Sequence, residues 1–150
     1  MSMRFNDHGV LEVPEEYDDT LGTFLVLDIG DDPYKCLVGL YCVAQIEQGR
    51  SRREVVGGES VAVELTPDHA ILEDHFDPSR SKSIPFAQFK SALEALWAVV
   101  CRANGEPRPS RVYRPDLAPA EGDLLLWEET FGRRHPYRGA IEGIPARGPE

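Results

Sequence analysis

Apolar and polar positions follow two different rhythms along the chain, and the change from one to the other falls near residue 85. The run Phe24-Leu25-Val26-Leu27 within residues 23–29 predicts a strand, and Gly30-Asp31-Asp32-Pro33 supplies the turn after it. Residues 34–46 place Cys36, Val38, Leu40, Cys42, Ala44 and Ile46 on one strand face and Leu37, Tyr41 and Val43 on the other. Apolar side chains on both faces predict a central strand covered from both sides. A buried helix is the competing reading, disfavoured by Gly39 and by the Val and Tyr content. Two short strands joined by Gly57-Gly58 come next, because glycine supplies the positive φ such turns need. Val61, Val63 and Leu65 then alternate inward, Thr66-Pro67-Asp68 turns the chain, and Ala70, Leu72 and Phe76 mark the inner side of a further strand that ends at Asp77-Pro78.

Beyond residue 85 the period becomes helical. Phe86, Phe89, Leu93, Leu96, Trp97 and Val100 form one apolar stripe over residues 85–103, with serine at 81 or 83 as a cap and Asn104-Gly105 as the stop. Residues 106–119 hold four prolines and read as a stiff connector. A second helix over about 119–131 carries Leu124, Trp127 and Phe131, with Asp116 as a candidate cap and Gly132 as the end. Residues 1–20 are acidic and poor in apolar residues, an irregular lead-in with a short strand around 9–13. Residues 133–150 read as a flexible tail, ordered only where they touch the body. The predicted fold is α+β, an antiparallel four- to five-stranded meander with one long helix packed on a face and a shorter C-terminal helix. The predicted division is 1–20, a sheet-plus-helix core at 23–105, a connector at 106–119, a helix at 120–132 and the tail, all in a single domain.

Composition supports one globular domain: 150 residues, 41% hydrophobic and 28% charged. A chain of this length buries about 70% of its unfolded surface and needs no metal or disulfide staple. No run approaches a membrane span, and the acidic start lacks the order of a signal peptide, so the expectation is a soluble, cytoplasmic protein. Cys36, Cys42 and Cys101 cannot all pair within one chain and fall in no C-x-x-C spacing, so they read as reduced core residues.

Charge sharpens the functional reading. The net charge is −10, and residues 1–77 hold 17 acids against 5 bases whereas residues 78–150 hold 9 against 11. An acidic field repels nucleic acid and anionic lipid and attracts a basic partner, so neither nucleic acid nor membrane is expected as a partner. The acids cluster at Glu15, Glu16, Asp18 and Asp19, at Asp28, Asp31 and Asp32, and at Glu73, Asp74 and Asp77. The later arginines, Arg108, Arg111, Arg114, Arg133, Arg134 and Arg138, with His135, are expected to dock against that acidic half.

On a strand His69, Glu73, His75 and Asp77 would point one way, but alternate residues lie about 7 Å apart, so His69 and His75 share no metal unless the chain folds back. No metal or other cofactor is therefore assigned. No phosphate-cradling glycine loop, H-E-x-x-H or serine elbow occurs in the sequence, and no reaction class suggests itself. The Trp97 and Trp127 side chains read as core.

In its size, its acidity, the meander over residues 24–76 followed by the helix at 85–103, and the pair Trp127-Glu128, the chain resembles the small acidic immunity proteins that bacteria pair with secreted polymorphic or contact-dependent toxins. The resemblance implies a non-enzymatic cytoplasmic protein that covers the active site of a basic cognate toxin, often a nuclease, with carboxylates standing in for substrate phosphates. The residues expected to face that partner are Asp28, Asp31, Asp32, Tyr34, Glu73 and Asp74. Two other classes stay open: an intracellular adaptor or secretion chaperone using an apolar sheet face, and an enzyme of unknown class.

Overall fold

A computed structural model describes residues 2–17 and 19–150. Asp18 of the first acidic cluster lies outside them. A two-stranded hairpin, β1 (Arg4–Phe5) with β2 (Leu11–Glu12), opens the chain and buries Met3 and Leu11, so the lead-in contributes to the core.

The predicted first strand is instead helical. Helix α1 (Asp19–Thr23) runs into a six-residue π-helical segment (Phe24–Ile29) closed by the Gly30 N–H on the Leu25 carbonyl at 2.9 Å. Leu21, Phe24, Leu25 and Ile29 are buried at helical spacing while Leu27 projects outward, so a short apolar run with no clear period is resolved by what it packs on.

Residues 34–46 are likewise helical, within α2 (Pro33–Glu47). Asp32 caps its N-terminus and Pro33 occupies the first turn, both strong start signals. The helix is apolar over most of its surface because the sheet, α3 (Phe86–Ala103) and α4 (Pro119–Phe131) all pack against it. Gly39, which argued against a helix, permits this packing, since a Cβ there would stand 2.9 Å from Leu93 Cδ2 of α3. Buried Cys36 and Cys42 therefore lie on a helix, and all three cysteines are free.

The main sheet is an antiparallel meander in the order β3 (Glu54–Val56), β4 (Val61–Leu65), β5 (His69–Asp74), β6 (Lys82–Pro85). Val61, Val63, Leu65, Ala70, Leu72 and Ile84 are its buried inner face. Phe76, expected inside, is 80% exposed because the strand ends at Asp74. Nor does Asp77-Pro78 end the sheet. Asp77 caps a 3-10 turn (Pro78–Arg80), after which β6 adds the fourth strand.

Helix α3 (Phe86–Ala103) follows β6 directly, with Pro85 at its N-cap and no side-chain cap; Ser81 Oγ instead accepts the Asp74 N–H at 3.0 Å. At its end Asn104 keeps a negative φ, and its Nδ2 donates to the carbonyls of Val100 and Asp31, joining α3 to the π–α2 turn. Helix α4 (Pro119–Phe131) ends at left-handed Gly132 as expected. It has no side-chain cap, because Asp116 binds Arg114 through both carboxylate oxygens.

Residues 133–150 touch the body along much of their length. His135, Tyr137 and Ile144 are buried, and His135 Nε2 donates to the Leu37 carbonyl at 2.9 Å. Arg138 grips the Glu128 carboxylate with Nε at 3.1 Å and Nη2 at 2.6 Å. Both α4 and this segment therefore sit on the helical side, leaving Val55, Ile71 and Glu73 outward and exposed on the sheet. The structure is α+β with two antiparallel sheets and four α-helices among the described residues. Among them, no helix is long and apolar enough to cross a membrane.

Candidate functional site

Asp28 is the residue around which the main groove is built. It sits near the end of the π segment and is buried, with Oδ1 accepting the Ser60 N–H at 3.0 Å and Oδ2 the Val61 N–H at 2.9 Å. One carboxylate thus satisfies two adjacent backbone donors where β4 begins, and charge-assisted bonds of this kind are stronger than neutral ones. Gly58 permits the approach, because a Cβ there would lie 2.4 Å from the Asp28 carboxylate. Gly58→Ala is accordingly expected to cost about 2 kcal/mol by forcing the clamp open, read as a lower urea midpoint with an unchanged m-value.

This clamp holds the β3–β4 turn against the π segment and α2, and the space left between them is a groove of about 580 Å³. Leu27, Tyr34, Val38 and Val55 give it an apolar surface, Glu59 is an acid at its edge and Lys35 a base on its wall. A second groove of about 470 Å³, lined by Val13, Glu15, Tyr17 and Val26 among others, shares Leu27 with the first. Leu27, 66% exposed, forms the ridge between them, and Val55, 48% exposed, faces it from the sheet edge. An apolar ridge open to solvent on both sides suits capture of a partner side chain.

The six residues expected to face a partner separate by role. Tyr34 lines the groove, and Asp31 is exposed at the turn leading into α2. Glu73 is exposed on the outward sheet face, away from the groove. The other three are engaged by backbone. Asp28 is the clamp, and Asp32 accepts the N–H groups of Tyr34 and Lys35 as a helix cap. Asp74 is buried, with Oδ1 taking the Phe76 and Asp77 N–H groups and Oδ2 lying 3.1 Å from Arg80. Those backbone donors, the Asp77 N–H foremost, and Arg80 outweigh burial and hold its carboxyl below the usual carboxylate range. Asp28 and Asp74 thus have a structural part, since each buried carboxylate satisfies N–H groups that would otherwise be orphaned.

Leu27, Val55 and Glu59 escaped the sequence reading. Helical spacing alone gives no signal for Leu27, because an α-helix puts it on the Phe24 side and the π geometry turns it out. His69, Glu73 and His75 do share an outward orientation on and just beyond β5, but no group of three metal-ligating side chains converges among the described residues.

The arginines do not dock as expected. Arg111 pairs with Asp123 at 2.8 Å, Arg114 with Asp116 at 2.9 Å and Arg138 with Glu128 at 2.6 Å, all within the C-terminal half. Local spacing favours these partners, because α4 and its flanks carry their own acids. The first-half acids are met only in part, as in Arg80–Asp74 and Lys90–Glu47. Glu15, Asp31 and Glu59 have no ion-pair partner among the described residues.

Comparison with protein-family models, with curated proteins and with solved structures finds no match. Function is therefore read from the groove and the charge around it.

Proposed function

We propose that this chain is a non-enzymatic protein-binding module that covers a basic partner protein, acting as an immunity protein that neutralises a cognate toxin. The observation that carries the reading is that exposed Leu27 and Val55 line one groove with the carboxylate of Glu59, while Leu27 also lines the second groove with that of Glu15, and neither carboxylate has an ion-pair partner among the described residues. An apolar anchor inside an acidic rim fits a partner that brings a basic surface around an apolar or aromatic side chain. The rim speeds encounter and the anchor sets the dissociation rate. Because Arg111, Arg114 and Arg138 are held by C-terminal acids, they leave the acidic field of the first half to act outward.

The test begins with the reading frames beside this chain's own, one of which is expected to encode a basic domain. Expressed alone it is expected to arrest growth, and co-expression of this chain is expected to restore it. Leu27→Asp and Val55→Asp are each expected to weaken the purified complex by about 2 kcal/mol, roughly 30-fold, without lowering thermal stability. Charge reversal at Asp31 and Glu59 is expected to slow association and flatten its salt dependence. Rescue that survives the Leu27→Asp/Val55→Asp double variant, or a neighbouring domain with no toxicity, defeats the proposal. Exposed Val55 and Ile71 on the outward sheet face favour a second reading, an adaptor or chaperone that binds an apolar segment there. That reading requires binding insensitive to salt and lost in Ile71→Asp.

A further inference from the structure

Toward the C-terminal end of α2, the loop after that helix and the segment after α4 form a cleft of about 230 Å³ lined by Tyr41, Gln48, Arg50, Arg133, Arg134 and His135, among others. Three exposed arginines from two separate stretches of chain line it, and no carboxylate of the described residues does. That is unexpected in a protein with 26 acids against 16 bases, and it contrasts with Arg111, Arg114 and Arg138, each held by its own carboxylate. We infer that this cleft is a binding site for a small phosphate-type oxyanion.

The arginines are positioned with donors to spare. Arg133 lies with its guanidinium carbon 5.8 Å from the Tyr41 ring centre and donates one N–H to the Tyr41 hydroxyl at 3.2 Å. Arg134 spends one donor on the Ala146 carbonyl at 2.9 Å. Each guanidinium has five N–H donors in a rigid fork, so most of this capacity remains for a ligand. Arg50 makes no side-chain hydrogen bond or ion pair among the described residues. His135 adds no charge, because its Nε2 donates to Leu37 and its Nδ1 accepts the Tyr137 N–H at 3.1 Å. An anion in the cleft relieves the repulsion among arginines that share it, and forked guanidiniums match tetrahedral oxyanions through paired hydrogen bonds. The volume suits one phosphate group with a few waters. Arg133 and Arg134 also line a neighbouring surface with Arg138 and Arg147, where Glu128 and Glu150 supply counter-charge on that side.

Inorganic phosphate titrated into the full chain at constant ionic strength, followed by amide chemical shifts, is expected to give saturable changes at Arg50, Gly132 and Arg134 in the millimolar range. Arg50→Gln and Arg134→Gln are each expected to weaken binding about tenfold, while Arg147→Gln leaves it unchanged. Circular dichroism confirms that each variant is folded. The inference is overturned if the shifts do not saturate, if the folded Arg50→Gln/Arg134→Gln double variant titrates like the parent, or if acetate binds as tightly as phosphate.

Discussion

Arg138→Ala is expected to lower the unfolding free energy by about 3–5 kcal/mol, the cost of breaking a buried ion pair by removing one partner. The Arg138 side chain is 6% exposed and that of Glu128 16%. The guanidinium also donates to the carbonyls of Pro145 and Gly148, so its loss strands a carboxylate and two acceptors together. Urea denaturation measures the effect, and replacing both partners by apolar residues, Arg138→Met with Glu128→Leu, is expected to recover much of it. A loss below about 1 kcal/mol would place the pair with exposed salt bridges and leave residues 133–150 only weakly attached.

Acid is expected to act on the same contact through His135. Burial pushes its imidazole down to about 4 from an ordinary 6.5, outweighing the Leu37 carbonyl and Glu128, which favour the charged form. The folded ring therefore stays neutral over a range in which the unfolded chain takes up a proton. Stability is unaffected above about pH 6.5, falls as the pH drops from there to about 4, and levels off below that as the folded form also protonates. The slope reaches about 1.4 kcal/mol per pH unit, and the total is about 3 kcal/mol. Glu128 adds to the loss at lower pH. Burial raises its carboxyl, but Arg138 and the His135 N–H overcome this and hold it below its usual range, so its contribution disappears as that carboxyl protonates. Urea midpoints across this pH window test the expectation. The His135→Asn variant should flatten the upper part of the profile, and identical profiles for the two proteins would exclude His135 as the cause.

Legibility in the sequence followed the strength of local periodicity. Helices α3 and α4 were readable because their apolar residues recur at helical spacing and because Gly132 marks the end of α4. The β3–β4 hairpin was readable from the alternation after residue 60, although neither Gly57 nor Gly58 takes the positive φ expected of them and Gly58 serves instead by its close approach to Asp28. Helix α2 was not, because a helix enclosed by neighbours has no polar side to reveal its period, and Gly39 looks like a breaker until Leu93 is packed against it. The burial of His135, Tyr137 and Ile144 was hidden by the glycines, prolines and arginines around them. The acidic character of the candidate site was legible, since charge is counted directly. Which carboxylates face solvent was not, because Asp28 and Asp74 are engaged by N–H groups whose positions only the folded chain defines.

The π geometry at Phe24–Ile29 makes chain length itself a control on the groove. A π turn takes up one more residue than an α turn, so losing a single codon here would let the helix regularise while the elements downstream keep their phase. The change would fall on the segment that carries Leu27 and Asp28, altering the ridge and the hairpin clamp while leaving α2 and the sheet in place.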